Sequence, residues 1–221
     1  TLWVAFAAVP PTLAGQRVES FQVAPQALEV ADLRLPTRKL EMTVLSGSEV
    51  QQGQALDLSA QYRVQLFRRT FVEGREPPAG GPGVSVAELA EALVPTETLD
   101  FDAPAFQAAL AAHGLRPRGT ENDLDFARRV FTSLKGDLQY EYRPDLDRRS
   151  SQVWPAGKSD CGGINGLLVS VLRANGIPAR VLCGRWARSA VAGETLGGVP
   201  YGQWHVKAEA YLRGVGWVPA D

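Results

Sequence analysis

The run Ser159-Asp-Cys-Gly-Gly-Ile-Asn-Gly-Leu-Leu-Val-Ser-Val-Leu-Arg-Ala-Asn-Gly-Ile-Pro-Ala-Arg180 carries more structural information than any other part of the chain. Its Ile164, Leu167, Leu168, Val171 and Leu172 recur at i, i+3, i+4, i+7 and i+8, the spacing of a helix with one buried face. Ser159 or Asp160 can cap its start. Asn175-Gly176 is a left-handed C-cap signal, and Pro178 prevents continuation. Cys161 is therefore expected in the first turn of a helix anchored in a core.

That placement has a chemical meaning. A free thiol has a pKa of about 8.5, and helix N-termini or a nearby imidazolium bring known cases down to about 3.5–7.5. The neighbours of Cys161 are polar or glycine, which separates it from the usual buried, inert cysteine. Cys183 follows Arg180-Val-Leu in an apolar, strand-like run, and core packing is its expected role.

Downstream, Trp204, Val206, Ala208, Ala210 and Leu212 alternate with His205, Lys207, Glu209 and Tyr211, the period of a strand. His205 falls on the more polar face. A turn at Arg213-Gly-Val-Gly216 leads into Trp217-Val218, and Asp221 follows. A hairpin of these lengths can return Asp221 beside His205. Thiol-based acyl transfer needs these parts: a thiolate that attacks a carbonyl, an imidazole that moves the proton, and a carboxylate that fixes the tautomer. The backbone N–H of Cys161 is one natural oxyanion donor. Tyr140, Tyr142 and Trp154 are candidates for a second, with Tyr140 preferred because a strand before the loop could aim its hydroxyl at the site.

Composition narrows the classes. Hydrophobic residues make up 45% and charged residues 21% of the 221, and the net charge is -1. No nucleic-acid footprint is visible. The arginine doublets Arg68-Arg69, Arg128-Arg129 and Arg148-Arg149 lie far apart and read as solvated faces. With two cysteines, no CxxC pair and two histidines, a disulfide scaffold is excluded and a metal centre is disfavoured. A site built from Cys161, Cys183 and His205 is the weakest alternative, and no cofactor is expected. No apolar run is long enough to span a membrane. The apolar opening lacks the basic lead of a secretory signal, so a soluble chain is expected.

Residues 1 to about 75 read as a β-rich N-terminal domain. Leu56 to Leu66 alternates apolar and polar residues, as do Leu40, Met42 and Val44, and a hairpin between the two runs is expected, packed as a small sandwich or against the rest of the chain. Residues 76–83 are a Pro/Gly linker. Residues 84–221 form the second domain, with a helical lead-in over 84–135. Ser85 with Glu88 is a capping box for a helix through Leu93. Asp102 can cap a second helix that stops at Gly114, and Thr120 a third that ends at Gly136. Loops Arg143 to Lys158 and Ala192 to Pro200 are expected to rim the cleft.

The Ser159–Arg180 run resembles the nucleophile helix of the transglutaminase-like superfamily, its Arg-Ala-x-Gly-Ile-Pro-Ala-Arg tail above all. Trp204-His205 through Gly216-Trp-Val-Pro-Ala-Asp221 is similar to that family's histidine strand and aspartate turn. Position by position, Cys161, His205 and Asp221 match its Cys-His-Asp triad. The resemblance is close over roughly 120–221. More loosely, residues 1–75 look like the β-rich region preceding this domain in many bacterial members. It implies an α+β fold with a papain-like core, and thiol-dependent acyl transfer or hydrolysis at a peptide or glutamine-type amide of a peptide or protein substrate. Hydrolysis is favoured over transamidation, because nothing builds a dry amine channel. The alternative is a catalytically silent module that binds a peptide or protein partner. Two positions depart from the pattern: Ser159 stands where glycine is usual, and Val206-Lys207 where Ala-Trp is common.

Overall fold

The computed structural model describes residues 2–13, 15–25, 27–35, 38–47, 53, 57–68, 70, 85–186 and 203–221. The linker at 76–83 and the loop Ala192 to Pro200 lie outside the described residues. The fold is α+β, with a β-rich N-terminal region followed by a mixed core. The chain divides into two compact units, Thr1–Glu73 with Pro78–Glu88, and Gly74–Pro77 with Leu89–Asp221.

In the first unit the strands are β1 (Leu2–Ala8), β2 (Gln16–Ala24), β3 (Leu28–Ala31), β4 (Lys39–Ser46) and β5 (Ser59–Leu66). They form two antiparallel sheets, β1-β4-β3 and β2-β5. The expected hairpin between β4 and β5 is absent. β4 runs against β1 from Leu40↔Ala8 to Ser46↔Leu2, and β5 runs against β2 with a bulge at Val18/Ser20. Alternation specifies which residues share a face, and it does not specify the partner strand. Leu2, Trp3, Phe6 and Leu28 are exposed here, and none of the buried hydrophobic residues lies in these strands.

The capping box at Ser85 forms: the Glu88 amide donates to Ser85 Oγ at 3.1 Å and the Ser85 amide to Glu88 Oε2 at 3.0 Å. It opens α1 (Val86–Glu91). The second unit continues with α2 (Pro104–Ala112), α3 (Asp123–Asp137), β6 (Gln139–Tyr140), α4 (Ser150–Ala156), β7 (Lys158–Ser159), α5 (Cys161–Ala174), β8 (Ala179–Arg185), β9 (Trp204–Leu212) and β10 (Gly216–Ala220). Caps differ from expectation at two helices. Ala103 precedes α2 with no side-chain cap, and Pro104 starts it with a preset φ. Asn122, not Thr120, caps α3 by accepting from the Asp125 amide at 2.9 Å. Gly136 lies inside α3, whose last residue is Asp137. α4 replaces part of the expected loop; with seven residues and an internal proline it carries no periodic signal.

α5 is the centre of this unit. It is buried on nearly every side from Asn165 to Leu172. Phe106 and Leu110 of α2, Phe126, Val130 and Leu134 of α3, and Val153 and Trp154 of α4 belong to the same core. Each such side chain contributes about 1.5–3 kcal/mol on burial. Behind α5 stands the antiparallel sheet β10-β9-β8. Ala208 and Ala210 of β9 are buried, and such small side chains suit a close helix–sheet approach. The hairpin turn after Leu212 uses Gly214 at φ +75°, and pairs Gly216 with Leu212 and Ala220 with Ala208.

One contact fixes the entry to α5. A Cβ placed on Gly163 would meet Ser159 Oγ at 2.0 Å and Ser159 Cβ at 2.8 Å. Ser159 is fully buried, and its hydroxyl has no hydrogen-bond partner among the described residues. Gly163→Ala is expected to cost about 1–3 kcal/mol in denaturant unfolding, as overpacking does. Adding Ser159→Gly should recover most of that loss, a coupling that independent sites would not show.

Candidate active site

Asp160 caps α5. Its Oδ1 accepts from the amides of Gly162 at 3.0 Å and Gly163 at 3.2 Å, and its carbonyl accepts from Ile164. The amide of Cys161 is left without a partner among the described residues. The thiol of Cys161, partly exposed, thus stands in the first turn of a helix whose dipole favours negative charge.

The cap is itself an anion beside that thiol. Arg148 offsets it, with Nη2 2.6 Å from Asp160 Oδ2 and Nε 2.9 Å away. Burial alone would raise the Asp160 carboxyl. The Arg148 hydrogen bonds and the Gly163 and Gly162 amides outweigh burial and hold it below the ordinary carboxylate value. Arg148 also donates to the carbonyls of Leu146 and Arg143, which organises the segment before α4. Arg148 was expected on a solvated face. A doublet's sequence shows charge but not the buried carboxylate that one member reaches. Arg129 turns inward likewise, onto Glu121 at 2.7 Å.

His205 lies near the start of β9, opposite Gly184 of β8. One residue beyond the Ala220↔Ala208 pair, Asp221 reaches back to the imidazole. Its Oδ2 and Oδ1 lie 2.8 and 2.9 Å from His205 Nε2. A carboxylate only accepts, so the hydrogen is on Nε2, and in the neutral ring Nδ1 is the free acceptor. Lys207 Nζ lies 3.7 Å from the same Asp221 oxygen, and the Trp186 ring lies 6.0 Å from that of His205.

Cys161, His205 and Asp221 line one cavity of about 290 Å³. Tyr140 lines it too. The pairing of β6 with β7 sets Tyr140 beside Ser159, two residues before the cysteine. Its phenol is pushed above the ordinary value, by partial desolvation first and then by the negative charge of Cys161, Asp160 and Tyr142. Trp154 is not brought to the cavity. It is buried in the core, stacked on His113 at 4.6 Å and near Phe106 at 5.6 Å. It is a candidate donor only as a side chain upstream of Cys161, and α4 turns it inward. Tyr142 does not line the cavity either, nor does any described residue from Arg143 to Lys158. Cys183 is exposed on β8 rather than packed in the core, because the sheet edge there is left uncovered by described elements. No cluster of metal-ligating groups occurs among the described residues.

One buried residue escaped the sequence reading. Asn165 Nδ2 donates to the carbonyl of Cys161 at 3.1 Å and to that of Val206 at 2.9 Å. Two carbonyls accept only, so both amide hydrogens are committed, and the link joins the helix of Cys161 to the strand of His205. A lone asparagine within an apolar helical run is the signal that could have revealed it.

A sequence profile of the transglutaminase-like superfamily matches residues 113–221, so this part of the chain carries a domain similar to that superfamily. An uncharacterized protein of Haemophilus influenzae is 36% identical over 76 residues, 29% of this chain and 21% of that protein. The match therefore spans about a fifth of that relative's length. A candidate cysteine protease from Cytophaga hutchinsonii aligns with a TM-score of 0.63 at 15% identity, over 100% of this chain and 71% of the other. The periplasmic domain of TgpA from Pseudomonas aeruginosa, bound to ethylmercury, aligns at 0.52 and 15% identity, over 100% and 72%. At that identity these likenesses concern the fold. Among the described residues, no helix is long and apolar enough to cross a membrane.

Two substitutions test the supports of the site. Asn165→Ala removes two buried hydrogen bonds and is expected to lower stability by about 1–3 kcal/mol. Asn165→Asp, which turns acceptors onto two carbonyls, should be worse in the same unfolding assay. Arg148→Met leaves Asp160 buried and unpaired. The cost expected is about 2 kcal/mol, below the 3–5 of a fully buried pair because Arg148 is a third exposed. A depressed folded-state pKa contributes stability above the unfolded value of about 3.9. The gap between wild type and Arg148→Met should therefore be widest above about pH 5 and close as pH falls through the depressed value.

Proposed function

We propose that the protein is a thiol-dependent acyl-transfer enzyme acting on peptide-type amides. Cys161 is the nucleophile, His205 the general base and acid, and Asp221 the group that orients the imidazole. The observation that carries this is the 2.8 Å contact of Asp221 with His205 Nε2, which leaves Nδ1 free, in a cavity that Cys161 also lines. In the reading, Cys161 Sγ gives its proton to His205 Nδ1 and bonds to the amide carbon. The carbonyl oxygen becomes an oxyanion facing the uncommitted Cys161 amide, with the Tyr140 hydroxyl as second donor. The C–N bond breaks, the amine leaves with the proton from His205, and a thioester remains. Water, activated by the same histidine, then hydrolyses it and regenerates the thiol. An amine in place of water would give transamidation. Hydrolysis is favoured because the cavity is open to solvent at Asp221 and Tyr140.

Iodoacetamide at pH 6 is expected to alkylate Cys161 faster than it does a free thiol, and His205→Ala should slow the reaction at least about tenfold. Cys161→Ser should abolish release of amine from a peptide pool while leaving the melting temperature nearly unchanged. Alkylation no faster than that of a free thiol would make the chain a binding module of the same fold.

A further inference from the structure

We infer that the groove between α3 and α5 is the acyl-side-chain pocket of this site, and that it selects an apolar side chain of leucine or phenylalanine size over a glutamine-type carboxamide. The inference rests on Cys161 being the acylated residue, as proposed above.

The cavity beside Cys161 has a regular construction. From α3 it is lined by Phe131, Leu134 and Lys135, with Leu138 just past the helix end, and from α5 by Cys161, Ile164, Asn165 and Leu168. The α5 set is spaced i, i+3, i+4, i+7 and the α3 set i, i+3, i+4, so each is a single helical stripe, with Leu138 extending the α3 side, and the two stripes face one another across the groove. Cys161 opens the α5 stripe. An acyl group on its sulfur has the rest of that stripe as its floor and the α3 stripe as its opposite wall.

The lining is sorted by chemistry. Leu134 and Leu168 are buried at 3% and 4% exposure and make the bottom. Phe131, Leu138 and Ile164 are half-buried and make the sides. The polar members are committed or peripheral. Both Asn165 amide hydrogens are spent on the Cys161 and Val206 carbonyls, and His205 and Asp221 hold each other. The Lys135 and Tyr140 side chains are exposed. Past the sulfur, a substrate side chain therefore meets carbon. A carboxamide there would lose its water partners and gain none, whereas an aliphatic or aromatic group gains by burial. A volume of about 290 Å³ holds a side chain of that size.

The test uses the purified full chain and N-acetyl-aminoacyl thiophenyl esters with leucine, phenylalanine, alanine or glutamine side chains. Cys161 sulfur bonds to the acyl carbon, the carbon–thiophenolate bond breaks, and thiophenol leaves with the thiol proton. Mass spectrometry then reads the acyl group on Cys161. Each rate is divided by that of N-acetylcysteine with the same ester, which removes intrinsic ester reactivity. The leucine and phenylalanine esters are expected to acylate Cys161 at least tenfold faster than the glutamine ester. Ile164→Trp, which fills the groove, should lower the leucine-to-alanine rate ratio at least tenfold. If that variant fails to fold by circular dichroism, Phe131→Ala should lower the same ratio at least threefold by removing a wall. A glutamine ester that reacts as fast as the leucine ester, or a ratio unmoved in the folded variant, overturns the apolar pocket and leaves the thiol chemistry standing. No acylation of Cys161 by any ester overturns both.

Discussion

The carboxylate of Asp160 is the constraint on which the second unit depends. It must be ionised to take the Gly162 and Gly163 amides, because a carboxyl in that buried position without charge would cap α5 weakly. Burial opposes the ionised form, and Arg148 restores it. The cap then sets the phase of everything that follows. Starting the helix at Cys161 aims Ile164, Asn165 and Leu168 with the thiol into the cavity, and sends Leu167, Val169 and Val171 into the core. A helix begun one residue later would rotate each of these by about 100°. Arg148 thereby also balances the charge of the carboxylate at the helix start that carries Cys161.

Much of the second unit was legible because its signals are local. The 3.6-residue period of α5, its Asp160 cap and its Asn175-Gly176 end all lie within one short run. The alternation of β9 and the glycine turn after Leu212 are equally local, so the hairpin that carries His205 and Asp221 could be read off the chain. Strand pairing in the first unit was illegible for the opposite reason. β4 and β5 follow one another in sequence but do not pair: β4 lies between β1 and β3, and β5 pairs with β2. Cys183 misled because an apolar strand run does not say whether anything covers its face. The contacts of Arg148 with Asp160, Trp154 with His113, and Asn165 with Val206 join elements whose separation the sequence does not encode in any period.

Asn165 shows why such contacts matter for the candidate chemistry. Cys161 and His205 come from different elements, a helix and a strand, and packing alone positions them only as well as Ala208 and Ala210 fit against α5. The Asn165 amide adds direction. It spans the carbonyl of the cysteine itself and that of the residue next to the histidine, both within 3.1 Å. Sliding of α5 along β9 would break the hydrogen bond to Val206 in a buried place, where it is expensive to lose.

The departures from the family pattern at Val206 and Lys207 gain meaning in this setting. Val206 contributes its backbone to the Asn165 link, a role any residue type can fill, so the side chain there is free to vary. Lys207 is different. Its ammonium lies 3.7 Å from the Asp221 oxygen that also faces His205, and 5.2 Å from the Trp186 ring. A lysine there draws on the same carboxylate that would stabilise an imidazolium at His205. Both groups are substantially exposed, so solvent screens the competition to the modest strength of a surface pair. The closer partner therefore governs: Asp221 is within hydrogen-bond distance of the histidine and outside it for the lysine. Asp221 can keep His205 in the Nε2–H form, and Lys207 adds a cation beside Asp221 without displacing the carboxylate from the ring.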